Sequence, residues 1–347
     1  MPGPSSLSST GDRATMRDVA TLAGVSLKTV SRVVNDERGV SPEVRQRVSA
    51  AVVTLGYRPN HAASTLRRRG ARTGLVGALL QDLSNSFSGA LLRAIEDVAR
   101  ENRTAVLTAS IDEEVDRERD LVRDLLGRQV DGLVLMPTGR DHAYLGEELR
   151  AGPPVVFVDR PPRGLEADAV TVDNVLGARR GTEHLLAQGH RRVAGLFHLP
   201  GVLTAQDRVT GFTAAHADRG MQPDPRLVVT GVPSSVEAAR VVGEMLALDD
   251  PPTAIFAGRN NLSTGAIRAL AERGVQHRVA LVGFDDYPLA DLVDPPLTVV
   301  KQNVPRIGRA VGELLFARVA GDPSPPRHLV VEPTLVPRGS GEIPPPG

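Results

Sequence analysis

Apolar residues recur with a helical period from Thr15 to Asn35 (TMRDVATLAGVSLKTVSRVVN). Met16, Val19, Ala20 and Ala23 stand at i, i+3, i+4 and i+7, which gives a short helix one apolar face. Thr15 and Asp18 have the spacing of a capping box. Gly24 lets the backbone leave the helix, and Ser26 is placed to cap a second helix starting at Leu27. Val30, Val33 and Val34 form the inner face of that second helix, while Lys28 and Arg32, four apart, share its outer side. The pattern predicts a helix-turn-helix with a basic leading edge. Ser41-Pro42-Glu43 then opens a third helix, Val44, Val48, Ala51, Val52 and Leu55 continue in phase, and Gly56 ends it. Three such helices make too small a core for an enzyme pocket, but they suffice to hold one helix against a DNA major groove.

From Gly74 the pattern changes to short apolar runs alternating with helical stretches. Strands are predicted at Leu75 to Leu80, Ala105 to Thr108, Gly132 to Met136, Val155 to Val158, Val193 to Phe197, Leu227 to Val229, Ala254 to Phe256 and Val279 to Val282. Helices such as Phe87 to Glu101 and Glu114 to Leu126 lie between them. Repeated alternation means parallel sheets covered on both faces, and the number of units suggests two lobes. The expected layout is a flexible arm over 1–14, a helix-turn-helix headpiece over 15–59, a hinge helix and linker over 60–72, an α/β core over 73–335, and a flexible, proline-rich tail over 336–347.

Composition sharpens this reading. The 347 residues carry no formal net charge, but residues 1–72 hold 12 Arg and Lys against 5 acids, and the rest is acidic by the same surplus. A basic end on an acidic body puts the phosphate-binding surface in the first segment. The absence of cysteine removes both a disulfide framework and a thiolate metal site. Residues 1–14 lack the apolar run of a signal peptide, and no stretch has the length of a membrane span, so a cytoplasmic protein without membrane contact is expected.

The segments DVATLAGVSLKTVSRVVN, VSPEVRQRV and LGYRPNHAASTL resemble the headpiece and hinge of the lactose-repressor (LacI/GalR) family of bacterial transcription regulators. The resemblance continues through QDLSNSF, VDGLVLMP, VVFVDRP, VTVDN, LLAQGHRRVA, VGFDDY, PPLTVV and PTLVPRGS, which is why the vector-like LVPRGS reads as native. It implies a core resembling periplasmic sugar-binding proteins, with two lobes joined by three crossings. One lobe would hold residues 74 to about 172 and a helix near Val304 to Ala320; the other would hold the rest, with a final strand near Leu329 to Glu332. It also implies DNA contacts from Arg17, Ser26, Leu27, Lys28, Thr29, Arg32, Tyr57, Asn60, Ala63 and Leu66, the last wedged into a minor-groove base step. The partners implied are a palindromic operator, a second copy of the chain in a homodimer, and a small sugar-like effector; no cofactor is implied.

Open parallel sheets bind ligands beyond the carboxyl ends of their strands. The residues there are polar: Gln81 and Asp82, Asp159 and Arg160, Arg259 and Asn260, Asp285 and Asp286, with Phe87 as a stacking face. Any one alone is more commonly a helix cap or surface turn, and the argument lies in their convergence. The resemblance assigns Asp82 to Phe87, Asp159, Arg208, Asn260 and Asp285 to the effector cleft, joined here by Arg160. Two positions depart from the family: asparagine at 260, where aspartate is frequent, and arginine at 259, where asparagine is common. The added charge points toward a phosphorylated or acidic effector. The chain has no GxxxxGK[ST], GxSxG, HExxH or GxGxxG motif, and His184 and His190 are badly spaced for a metal, so no enzyme is expected. The rival reading is a solute-binding protein of the same core fold.

Overall fold

The computed structural model describes residues 14–34, 38–57, 72–139, 141–146 and 152–346. The chain divides into two units, 1–73 and 74–347.

The first unit contains α1 (Met16–Ala23), α2 (Leu27–Val34) and α3 (Pro42–Leu55). Asp18 accepts the Thr15 N–H at 2.8 Å, and Thr15 Oγ1 accepts the Asp18 N–H at 3.4 Å, closing the capping box that starts α1. Gly24 turns the chain at φ 62°, and Ser26 Oγ accepts the Thr29 N–H at 3.1 Å to start α2. Ser41 caps α3 through the Val44 N–H, with Pro42 in the first turn. Val19, Ala23, Val30, Val48, Ala51 and Tyr57 form the core between the three helices. Tyr57, expected at DNA, is buried among these core residues. Asn60, Ala63 and Leu66 lie outside the described residues.

The second unit holds two six-stranded sheets. The first runs β11 (His328–Val331), β5 (Asp168–Val172), β4 (Val155–Asp159), β3 (Leu133–Leu135), β1 (Leu75–Leu80), β2 (Ala105–Ser110), all parallel. The second runs β12 (Thr334–Val336), β10 (Thr298–Lys301), β9 (Ala280–Phe284), β8 (Ala254–Ala257), β6 (Val193–Leu196), β7 (Val228–Val229), parallel except for the β10–β12 pair. Helices α4 (Ser86–Glu101) and α10 (Val304–Val319) cover one face of the first sheet through Leu91, Ile95, Ile307, Val311 and Leu315, and α5 (Val115–Gly127) packs through Val122 and Leu125 into a separate cluster with Leu133 and Phe157. On the second lobe α6 (Asn174–Ala187) pairs with α7 (Leu203–Ala217), and α8 (Ser235–Met245) with α9 (Asn260–Glu272). Gly211 lets α7 approach α6, since a Cβ there would lie 2.2 Å from the Val175 carbonyl oxygen. The chain crosses between lobes three times, at Asp173, at Gln302–Asn303 and at Glu332–Pro333.

Two expectations are corrected. The strand near Leu329 to Glu332 belongs to the first lobe, because His328 bonds Thr171 Oγ1 at 2.8 Å and Arg327 N–H donates to Asp168 at 2.7 Å. Residues 336–346, expected to be part of a flexible tail, are docked on the lobe: Val336 ends β12, and Ser340 is buried, donating to the Leu281 carbonyl at 2.6 Å and accepting the Thr298 N–H at 2.9 Å. The Ile343 carbonyl accepts from His190 Nε2 at 2.8 Å. The polar, proline-rich composition that suggested flexibility here supplies hydrogen bonds to the lobe instead.

Candidate functional site

The carboxyl ends of the strands in both lobes face one cavity, lined mostly by polar and charged side chains. The first lobe contributes Gln81, Phe87, Glu113, Asp159 and Arg160; the second contributes His198, Arg208, Arg259 and Asp285, with Gln302 from a crossing. Asp159, the last residue of β4, and Asp285, the first after β9, are in the left-handed region at φ 68° and 74°. Held strain of this kind gathers at binding sites, and here it aims two carboxylates off the strand ends.

Arg208 is the buried hub. Its Nε donates to Asn174 Oδ1 at 2.9 Å, its Nη1 donates to the Gly258 carbonyl at 2.7 Å and lies 3.8 Å from Asp285, and its guanidinium stacks 3.7 Å from the centre of the Phe284 ring. Burial lowers its pKa, and the carboxylates of Asp285 and Asp159 oppose that. Arg160 is gripped by Glu113 through two hydrogen bonds of 2.6 and 2.8 Å. Asp159 lies 3.5 Å from Arg160 Nε, and burial pushes its carboxyl above the usual range despite both arginines. Gln302 donates to Asp285 at 2.6 Å. Such a wall of donors and acceptors around one aromatic ring suits a polyhydroxylated ligand.

Two of the assigned cleft residues are placed elsewhere. Asp82 turns away to accept from Ser84 N–H and Oγ at 2.8 and 2.6 Å, fixing the turn before α4, and Gln81 lines the cavity in its stead. Asn260 does not line the cavity either. It exchanges two 2.9 Å amide hydrogen bonds with Asn85 of the other lobe and donates to Ser86 Oγ at 3.1 Å, bridging the cleft. Glu113, His198 and Gln302 were not singled out by sequence; their roles depend on arginines, an aspartate and crossings distant along the chain.

In the first unit, Arg17, Ser26, Leu27 and Lys28 are exposed, Thr29 and Arg32 half-buried. Lys28 thus projects from the start of α2. Arg32 Nη2 folds back onto the Arg38 carbonyl at 2.5 Å, so its fork is partly engaged within the unit.

A family profile for bacterial regulatory proteins, lacI family, matches residues 15–60, and one for a periplasmic binding protein-like domain matches 182–341. The HTH-type transcriptional regulator GalS of Salmonella typhimurium is 33% identical over 328 residues, 94% of this chain and 96% of that protein. This chain belongs to the lacI family of bacterial regulatory proteins. The regulator CelR of Thermobifida fusca is also 33% identical, over 95% of this chain and 98% of its own length. Among solved structures, the Lac repressor dimer bound to operator and an anti-inducer has a TM-score of 0.84 at 27% identity, covering 95% of this chain and 99% of that one. The CelR–cellobiose complex has a TM-score of 0.70 at 30% identity, covering 94% and 100%. As a lacI-family member with this headpiece and core, the chain is a DNA-binding transcription regulator and not an enzyme. No helix among the described residues is long and apolar enough to cross a membrane.

Proposed function

We propose that this regulator acts in the cytoplasm as a homodimeric repressor of a carbohydrate-utilisation operon, binding a palindromic operator with an affinity that a small sugar-derived effector alters. The observation that carries the effector half is the convergence of Asp159, Arg160, Arg208 and Asp285 with Phe87 on one cavity between two lobes, in a chain whose relative CelR has been solved with cellobiose. The DNA half rests on α2, whose exposed Ser26, Leu27 and Lys28, with Thr29 and Arg32 beside them and Arg17 on α1, present a basic edge above a fixed apolar core. Solute binding alone does not account for a helix-turn-helix with that edge. Selection of bound sequences from random duplexes, followed by titration of the complex with sugars and sugar derivatives, tests both halves. A palindromic consensus whose affinity changes with one such compound supports the reading; sequence-blind binding overturns it.

A further inference from the structure

The charge balance of the cavity identifies the effector more closely, on the basis of the sugar-derivative reading above. Each of the other two arginines on its wall has a carboxylate: Glu113 grips Arg160, and Asp285 lies 3.8 Å from Arg208. Arg259 differs. Its Nη1 donates to His198 Nε2 at 3.0 Å, and among the described residues it forms no ion pair. A guanidinium has only donors, so Nε2 must be the unprotonated nitrogen of the imidazole. Nδ1 then carries the proton and donates it to the Val232 carbonyl at 3.2 Å. His198 is therefore a neutral support that orients Arg259 without cancelling its charge. Burial, reinforced by Arg259 itself, lowers the His198 pKa and keeps the ring neutral.

A half-buried guanidinium supported in this way at the end of β8 is a receptor for an anion, and a planar fork matches a carboxylate. We propose that the effector is a sugar acid, its single carboxylate bound by Arg259 and its hydroxyl groups by Asp159, Arg208 and Asp285. The three guanidinium groups of the wall are matched in number by the carboxylates of Glu113, Asp159 and Asp285, so a phosphate ester, with nearly two negative charges at neutral pH, fits it less well than a single carboxylate placed on the one arginine that has no ion pair among the described residues. The charge count favours the carboxylate.

The test is calorimetric titration of the full-length protein with glucose, galactose and mannose, with the corresponding uronates and aldonates, and with the 6-phosphates. The expected result is one acid bound at least about tenfold more tightly than its parent aldose and its phosphate, as one charge-assisted hydrogen bond supplies. In Arg259→Asn the ratio of acid to aldose affinity falls to about one, and Arg259→Lys restores part of it. Equal affinity for acid and aldose, unchanged by Arg259→Asn, overturns the carboxylate assignment but leaves the sugar reading standing. A preference for the phosphate also overturns it. Binding of none of these compounds overturns both.

Discussion

The bridge between Asn85 and Asn260 gives the most direct test of how the cleft is held. Asn85 Oδ1 also accepts the Phe87 N–H at 3.0 Å and Asn260 Oδ1 the Asn261 N–H at 2.7 Å, so two backbone amides fix the orientation of both side chains. Asn260→Ala removes three hydrogen bonds between the lobes, each worth about 0.5–1.5 kcal/mol net. Water reaches the groups left behind once the cleft opens, which puts the effect at the low end of the sum, about 1.5–2 kcal/mol. That is a 10- to 30-fold shift toward the open form. Hydrogen exchange followed by mass spectrometry should show peptides spanning 83–90 and 258–264 exchanging faster by about that factor. Peptides from β3 and β9, inside the two sheets, should be unchanged. Asn85→Ala removes two of the three bonds and keeps the one from Asn260 to Ser86, so it should open the cleft less while also losing the α4 cap, and the double variant should open it no further than Asn260→Ala. Unchanged exchange at both cleft segments in Asn260→Ala would refute the bridge as a determinant of closure.

Three further outcomes are expected. Lys28→Ala should weaken operator binding by about 1–3 kcal/mol if it reads a base, with relaxed preference at one position per half-site; if it contacts phosphate, the loss should be uniform across sequences and reduce the salt slope by about one, as mobility-shift titrations on a site library would resolve. Gly211→Ala should destabilise the core by about 1–3 kcal/mol or more in urea unfolding, because the added methyl meets a backbone carbonyl that cannot yield. His142, His190 and His216 are buried with their pKa values pushed down by burial, so the unfolded chain binds protons there that the native chain does not. Stability should accordingly be full above the ordinary histidine value of 6.5 and fall as the pH drops below it, by up to about 1.4 kcal/mol per pH unit for each ring; a flat profile between pH 7 and 5 would contradict this.

What the sequence made legible follows from how locally each feature is determined. The capping box at Thr15, the turn at Gly24 and the Ser41-Pro42 start are set within four residues, and they stand as read. Strands β4, β6, β8 and β9 are buried end to end, and β1 from its second residue, so they announce themselves as apolar runs. Strand β5 escaped because it opens on Asp168, a buried carboxylate made tolerable by Arg318, 150 residues away. The sheet chosen by β11 and the docking of residues 336–346 are likewise decided by distant hydrogen bonds. At the site, strand ends pointed to stretches that line the cavity, but whether Gln81 or Asp82 faces it depends on the turn that follows. Glu113 and His198 acquire meaning only beside Arg160 and Arg259, 47 and 61 residues on.

The same network also explains why a ligand in this cavity would be felt at the joints between the lobes. Arg208 holds Asn174, the first residue after the first crossing, and Asp285 holds Gln302 in the second. The third is tied by Arg180 of α6, which donates to the Pro333 carbonyl at 2.9 Å. A ligand competing for Arg208 or Asp285 must therefore redistribute hydrogen bonds that belong to the crossings themselves. A charged hydrogen bond is worth about 1.5–3 kcal/mol, the size of a typical coupling free energy between two sites. One or two such exchanges suffice for an effector to favour one angle between the lobes over another. Linkage then requires an operator that selects the same angle to change effector affinity by the same factor.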